Sequence, residues 1–148
     1  MSNFSFFAIP VYWALTMVPH VYAVSIMTKA NNGRWNNSSP RSSNWDASLR
    51  KSTPSDIYSR YERGKAAHVN GMENFSLFVG AIMAGNIAKL DASTLNGFVV
   101  AYLFSRILYT GIYIYVSSHR FSFIRSVCWI TGVFMCLGVI VRSGMALA

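Results

Sequence analysis

Glu62-Arg63-Gly64-Lys65-Ala66-Ala67-His68-Val69-Asn70-Gly71-Met72-Glu73-Asn74 reads as the polar head of a helix that turns apolar from Phe75 to Ala88. At about 100° per residue, Glu62, Arg63, Ala66, Asn70, Glu73 and Leu77 share an arc of roughly 100°, whereas Lys65 and His68 point elsewhere. A carboxylate, an amide and a guanidinium on one stripe of a membrane helix are costly unless they face one another, water or a ligand. Arg63, Asn70 and Glu73 are therefore the first candidates for a binding site.

The flanks of this stretch make lipid the solvent of the fold. Of 148 residues, 53% are hydrophobic and only 12% charged, and the apolar residues are gathered into long runs. Phe4 to Thr28 carries no charge and exceeds the about 20 residues needed to cross a hydrocarbon core. Pro10 and Pro19 fall inside it and predict a kink, which neighbouring spans tolerate. The run lacks a basic leader, and Met27-Thr28-Lys29 is a poor cleavage context, so a retained helix is expected. His20 within it reads as a packed or interfacial side chain.

Further apolar runs cover about Leu95 to Val116 and Ser122 to Ala146. The expected fold is all-α: a single integral-membrane four-helix bundle over residues 1–148, with helices about 4–28, 56–89, 95–117 and 122–146. The second helix should start at Ser55 or Asp56, just behind Pro54. Ser117-Ser118-His119-Arg120 should close the third. Residues of about 29–55 read as a long loop of Asn, Ser, Gly and Pro turn chemistry. Trp35 and Trp45 are expected at the membrane interface.

The net charge of +8 is not spread like a nucleic-acid patch. Lys29, Arg34, Arg41, Arg50, Lys51, Arg60, Arg63 and Lys65 cluster in and after the long loop, and Arg120 and Arg125 follow the third run. The opposite side has Lys89, balanced by Asp91, and Arg142. By the positive-inside rule the long loop is cytosolic and the termini are external or lumenal. Asn36 and Asn37 should then stay unglycosylated, and Asn3 lies too near the membrane for modification.

The third run repeats the logic of the second. Tyr102, Arg106, Tyr109, Tyr113 and Ser117 fall within about 80° on a helical wheel. Either Arg106 pairs with Glu73 to hold two helices together, or these groups line a polar cleft; one arrangement can do both. A buried pair is weak evidence for stability, since desolvation offsets most of its attraction. Arg125 belongs near the cytosolic mouth with Arg63 and Lys65. Cys128 and Cys136 are about two turns apart in one helix, too far to bridge. No Cys/His spacing fits a metal, and no Ser-His-acid set or phosphate loop is present. A cationic pocket beside lipid suits an anionic, water-soluble thiol such as glutathione meeting an apolar substrate. A nearby guanidinium favours the reactive thiolate.

Glu62-Arg63, Ala67-His68, Asn70 and Glu73-Asn74 together resemble the signature of the MAPEG superfamily, the membrane-associated proteins of eicosanoid and glutathione metabolism. Arg106 with Tyr113 is similar to its third-helix motif. Ile124-Arg125-Ser126-Val127 is similar to the start of the fourth helix in the prostaglandin synthase branch. Pro40-Arg41 resembles an element of a divergent microbial and fungal branch. The resemblance implies a homotrimer in the bilayer, acting on a lipophilic small molecule with glutathione near the cytosolic side, and no nucleic-acid partner. The membrane would be endoplasmic reticulum in a eukaryote and the inner membrane in a bacterium. Arg125, Ser126 and Tyr113 are the implied catalytic residues. Arg63, His68, Asn70, Glu73, Arg106, Tyr109 and Tyr113 are the implied cofactor contacts, with Lys29 or Arg34 as the first-helix cation.

The departures thin the cationic complement. Ala66 and Val69 stand where relatives of this kind carry arginines, and Tyr109 where a histidine is common. Three activities stay open: a glutathione-dependent transferase, peroxidase or isomerase; a glutathione-independent isomerase or cyclase; and a non-catalytic lipid-binding scaffold.

Overall fold

The computed structural model describes residues 1–116 and 122–148, without the side chain of Ser122. Helices α1 (Ala8–Ala30), α2 (Ser43–Ser52), α3 (Ser55–Ile87), α4 (Ala92–Tyr115) and α5 (Ser122–Leu147) follow a single 3-10 turn, Ser5–Phe7. No strand occurs among the described residues. The turn expected over Ser117–Arg120 lies outside them. Ser5–Ala30, Ala92–Tyr115 and Phe123–Leu147 are each long and apolar enough to cross a membrane. The expected span in α3 is not among these, because its first half holds Asp56, Arg60, Glu62, Arg63 and Lys65, and Glu73 follows just beyond its middle.

α3 packs against α1, α4 and α5. Small residues make the α1 contact close. A Cβ on Gly64 would stand 2.8 Å from the Ala23 Cβ and 3.1 Å from the Pro19 carbonyl oxygen, and one on Gly71 3.0 Å from Thr16. Ala67, between them on the same face, is buried. Close approach of small residues is how helices associate in lipid, where no hydrophobic force separates them from the acyl chains. The core around this seam is aromatic: Tyr102 stacks on Phe78 at 4.3 Å, and Tyr12 meets both rings edge-on.

The two prolines differ in effect. Pro10 sits in the first turn of α1, where its missing N–H has no helical acceptor to lose. Pro19 is interior, so it removes the bond to Leu15 and crowds that turn. His68 binds the neighbouring carbonyl of the same turn: its Nδ1 donates to Thr16 O at 2.8 Å, which places the ring proton on Nδ1. The ring also lies against His20, 4.9 Å between centroids.

At one end of the helices a set of amides ties the chain together. Asn3 donates to Asn86 Oδ1 at 2.8 Å, and Asn96 receives the Phe4 N–H and donates to the Ser2 carbonyl. α3 ends there in a left-handed residue, Lys89 (φ 52°), with the Leu90 N–H on the Gly85 carbonyl at 2.9 Å. This 6→1 bond turns the chain directly into α4. α4 therefore begins at Ala92, earlier than the expected Leu95.

The other end corrects the reading of a long irregular loop, because Ser43–Ser52 is helical. Its polarity hid it: Trp45 and Leu49 are its large apolar residues. Ser42 Oγ caps it by accepting the Trp45 N–H. Leu49 is fully buried with Met27, Tyr58 and Tyr61. Trp35 and Trp45 pack edge-to-face at 6.1 Å against the same cluster, so they build a small second core in addition to any interfacial role. The N-cap of α3 is Pro54, whose carbonyl accepts the Tyr58 N–H, and neither Ser55 nor Asp56 caps it.

Asp46 fastens α2 to α3, accepting from Tyr58 Oη at 2.6 Å and Lys65 Nζ at 3.1 Å. Partial burial raises its carboxyl pKa, but these two hydrogen bonds outweigh that and hold it below the usual range. A depressed carboxylate stabilises the fold above its unfolded value of about 3.9, and that contribution is lost as pH falls through the folded value. The Lys65–Asp46 pair is about 40% exposed, so the contribution is about 1 kcal/mol at most. Asp46→Asn is expected to speed hydrogen exchange of α2 amides about threefold at neutral pH, with wild type showing the same loosening in acid. Unchanged exchange in the variant would show that Leu49 alone holds α2.

Candidate functional site

An open cleft of about 480 Å³ lies between α3, α4 and α5. Asn70 contributes its amide from α3, and Tyr109 and Tyr113 their phenols from α4. Arg125 and Ser126 come from the first turns of α5, with Trp129 and Ile130 one turn further on. Five of the side chains singled out in the sequence, Asn70, Tyr109, Tyr113, Arg125 and Ser126, thus meet in one cavity.

Arg125 is held over the Tyr113 ring, its guanidinium carbon 4.6 Å from the centroid. Tyr113 in turn meets Tyr109 edge-to-face at 5.5 Å. A cation held by a ring face rather than by a carboxylate keeps its charge available to an incoming anion. Among the described residues no carboxylate lines the cleft. Its lining combines phenols, an amide and a hydroxyl with the indole of Trp129 and the sec-butyl group of Ile130.

Trp129 and Ile130 were not picked out in the sequence. They stand four residues after Arg125 and Ser126, so helical spacing puts each pair on one stripe. That register was the available signal.

Four other candidates lie outside the cleft lining. Arg106 is buried, and instead of pairing with Glu73 it donates through Nη2 to the Cys128 carbonyl on α5 at 2.6 Å. Its guanidinium lies between the Tyr102 and Tyr109 rings, 5.0 and 5.3 Å from their centroids. It approaches α5 at Gly132, where a Cβ would meet it. Arg106 thus braces Tyr109 from behind. Arg63 Nε donates to the Ile114 carbonyl at 3.1 Å, satisfying one of the last-turn acceptors of α4. His68 is committed to the Thr16 carbonyl of α1. Glu73 is exposed on the outer face of α3, and the ion pair among the described residues is Lys65–Asp46.

Among the described residues no group of His, Cys, Asp and Glu is placed to hold a metal ion. The donor set, a guanidinium, an amide and hydroxyls beside apolar surface, suits an anionic ligand.

The family model for the MAPEG family matches residues 6–145, nearly the whole chain. No curated protein and no solved structure matches.

Proposed function

The chain belongs to the MAPEG family, and from that premise we propose that it is a membrane-bound, glutathione-dependent transferase, peroxidase or isomerase of a lipophilic substrate. The observation that carries this reading is the convergence of Arg125, Ser126, Tyr113, Tyr109 and Asn70 on one carboxylate-free cleft with an apolar flank. We place α1, α3, α4 and α5 as four spans, with the α2 end cytosolic, in a homotrimer. In that arrangement a neighbouring copy would cover the exposed Glu73, whose charge is costly in lipid.

Glutathione, when bound, supplies the sulfur nucleophile. Arg125 holds positive charge beside the position of the sulfur and so favours its deprotonated form. Tyr113 fixes Arg125 from below, and the Ser126 hydroxyl is positioned to donate to the same anion. Asn70 and Tyr109 orient the peptide from the facing wall. Trp129 and Ile130 offer an apolar surface on which a lipophilic electrophile can rest within reach.

Calorimetry on the detergent-purified protein tests this directly. Glutathione should bind, and Asn70→Ala should weaken it about tenfold, the loss of a hydrogen bond to a charged group. Absence of binding would sink the transferase reading.

One observation favours a second reading. Ala66 and Val69 supply no charge, and Arg63 and Arg106 are engaged with backbone carbonyls. If glutathione does not bind, the protein is a glutathione-independent isomerase or cyclase in which Tyr109 and Tyr113 do proton transfer. A lipid retained without turnover would instead mark a binding scaffold.

A further inference from the structure

We infer that a second site, a groove at the basic end of α1 and α3, binds the anionic headgroup of a membrane phospholipid. Its lining is Ile26, Lys29 and Ala30 from the last turns of α1 and Ile57 and Arg60 from the first turns of α3, and it encloses about 390 Å³. It shares no residue with the cleft around Arg125.

Charge is the first argument. Lys29 and Arg60 face one groove, and no carboxylate lines it. Several cations have a visible use: Lys65 is paired with Asp46, Arg63 and Arg106 donate to carbonyls, and Arg50 and Arg125 lie over rings. Lys29 and Arg60 are exposed, and no ion pair joins either to a described residue. Two unneutralised like charges on one groove repel each other, and a phosphate diester would relieve that. Lysine meets it as a point charge, arginine with a planar fork.

Depth is the second. Lys29 lies in the last turn of a span that runs Ser5–Ala30, so its ammonium stands where hydrocarbon gives way to headgroups. Ile26 and Ile57 are half-buried beside it and give the first methylenes of a lipid an apolar floor. A soluble anion would have no use for that floor. Basic pockets between helices on the cytoplasmic side are the physical form that anionic-lipid recognition takes. The inference needs the chain to lie in a bilayer and does not depend on glutathione.

The full-length protein in neutral detergent micelles would be titrated with phosphatidylglycerol and, separately, with phosphatidylcholine, and bound lipid counted by native mass spectrometry. Phosphatidylglycerol should be retained at least tenfold more strongly. Lys29→Ala and Arg60→Ala should each weaken it about fivefold, the factor for one basic residue near an anionic surface. Arg60→Lys should restore most of the loss. Both positions are exposed, and thermal unfolding would verify that the variants fold. Equal retention of the two lipids would overturn the proposal, as would unchanged binding in the double variant. Displacement by inorganic phosphate alone would also overturn it, showing a soluble-anion site in place of a lipid one.

Discussion

Arg125→Ala is expected to lower kcat/KM for glutathione transfer by about 100-fold, the size of effect seen when one preorganised donor to a developing anion is removed. The reason is geometric. Among the described residues Arg125 is the cation lining the cleft, and the Tyr113 ring at 4.6 Å fixes its direction. Arg125→Lys keeps the charge but loses the planar fork and should fall between the two. Tyr113→Phe keeps the ring that supports the guanidinium, so any loss it shows isolates the phenol. Turnover with a lipophilic electrophile gives the rate, and the ultraviolet band of bound thiolate gives the cause. If the alanine variant stays within threefold of wild type, Arg125 is not the group that activates sulfur.

Gly132→Ala should produce the largest loss of stability, about 3 kcal/mol, read as a drop in thermal midpoint in detergent. The methyl would stand 2.6 Å from the Arg106 guanidinium carbon, so the buried arginine has to leave its place against α5. Moving Arg106 breaks its bond to the Cys128 carbonyl and disturbs its seat between the Tyr102 and Tyr109 rings; weakening the partners of a buried charge costs up to about 3–5 kcal/mol. A double-mutant cycle separates this from a general packing effect. With Arg106→Ala already present, Gly132→Ala should cost little, because the space is then vacant. Additive losses would show that Arg106 and Gly132 act independently.

Much of this was readable in the chain. Hydrophobic runs announced α1, α4 and α5, and the 3.6-residue period put Tyr102, Arg106, Tyr109 and Tyr113 on one face, three of them buried and Tyr113 half-buried. The period did not reveal which helix each polar group would answer to. Arg106 turns to α5 because Gly132 leaves room there, and a missing side chain in a different helix has no signature in the local pattern. α2 escaped notice because a ten-residue helix needs few apolar residues to be anchored, and Leu49 with the Asp46 contacts suffices. His68 looked like part of a site motif. Its partner is a carbonyl at the turn before Pro19, a demand set by tertiary contact between α1 and α3.

The polar half of α3 bears on how the newly made chain is inserted. Machinery that sorts segments by apolarity would release α1, α4 and α5 sideways into lipid unaided, but would not recognise α3 as a stop. The short turn at Lys89–Leu90 makes α3 and α4 a hairpin, and the Gly64–Gly71 seam gives α3 a waiting berth on α1. In the four-span arrangement proposed above, integration of α3 would therefore be a joint event: it would enter already shielded by its neighbours, and a nascent chain truncated before α4 would leave it stranded in water.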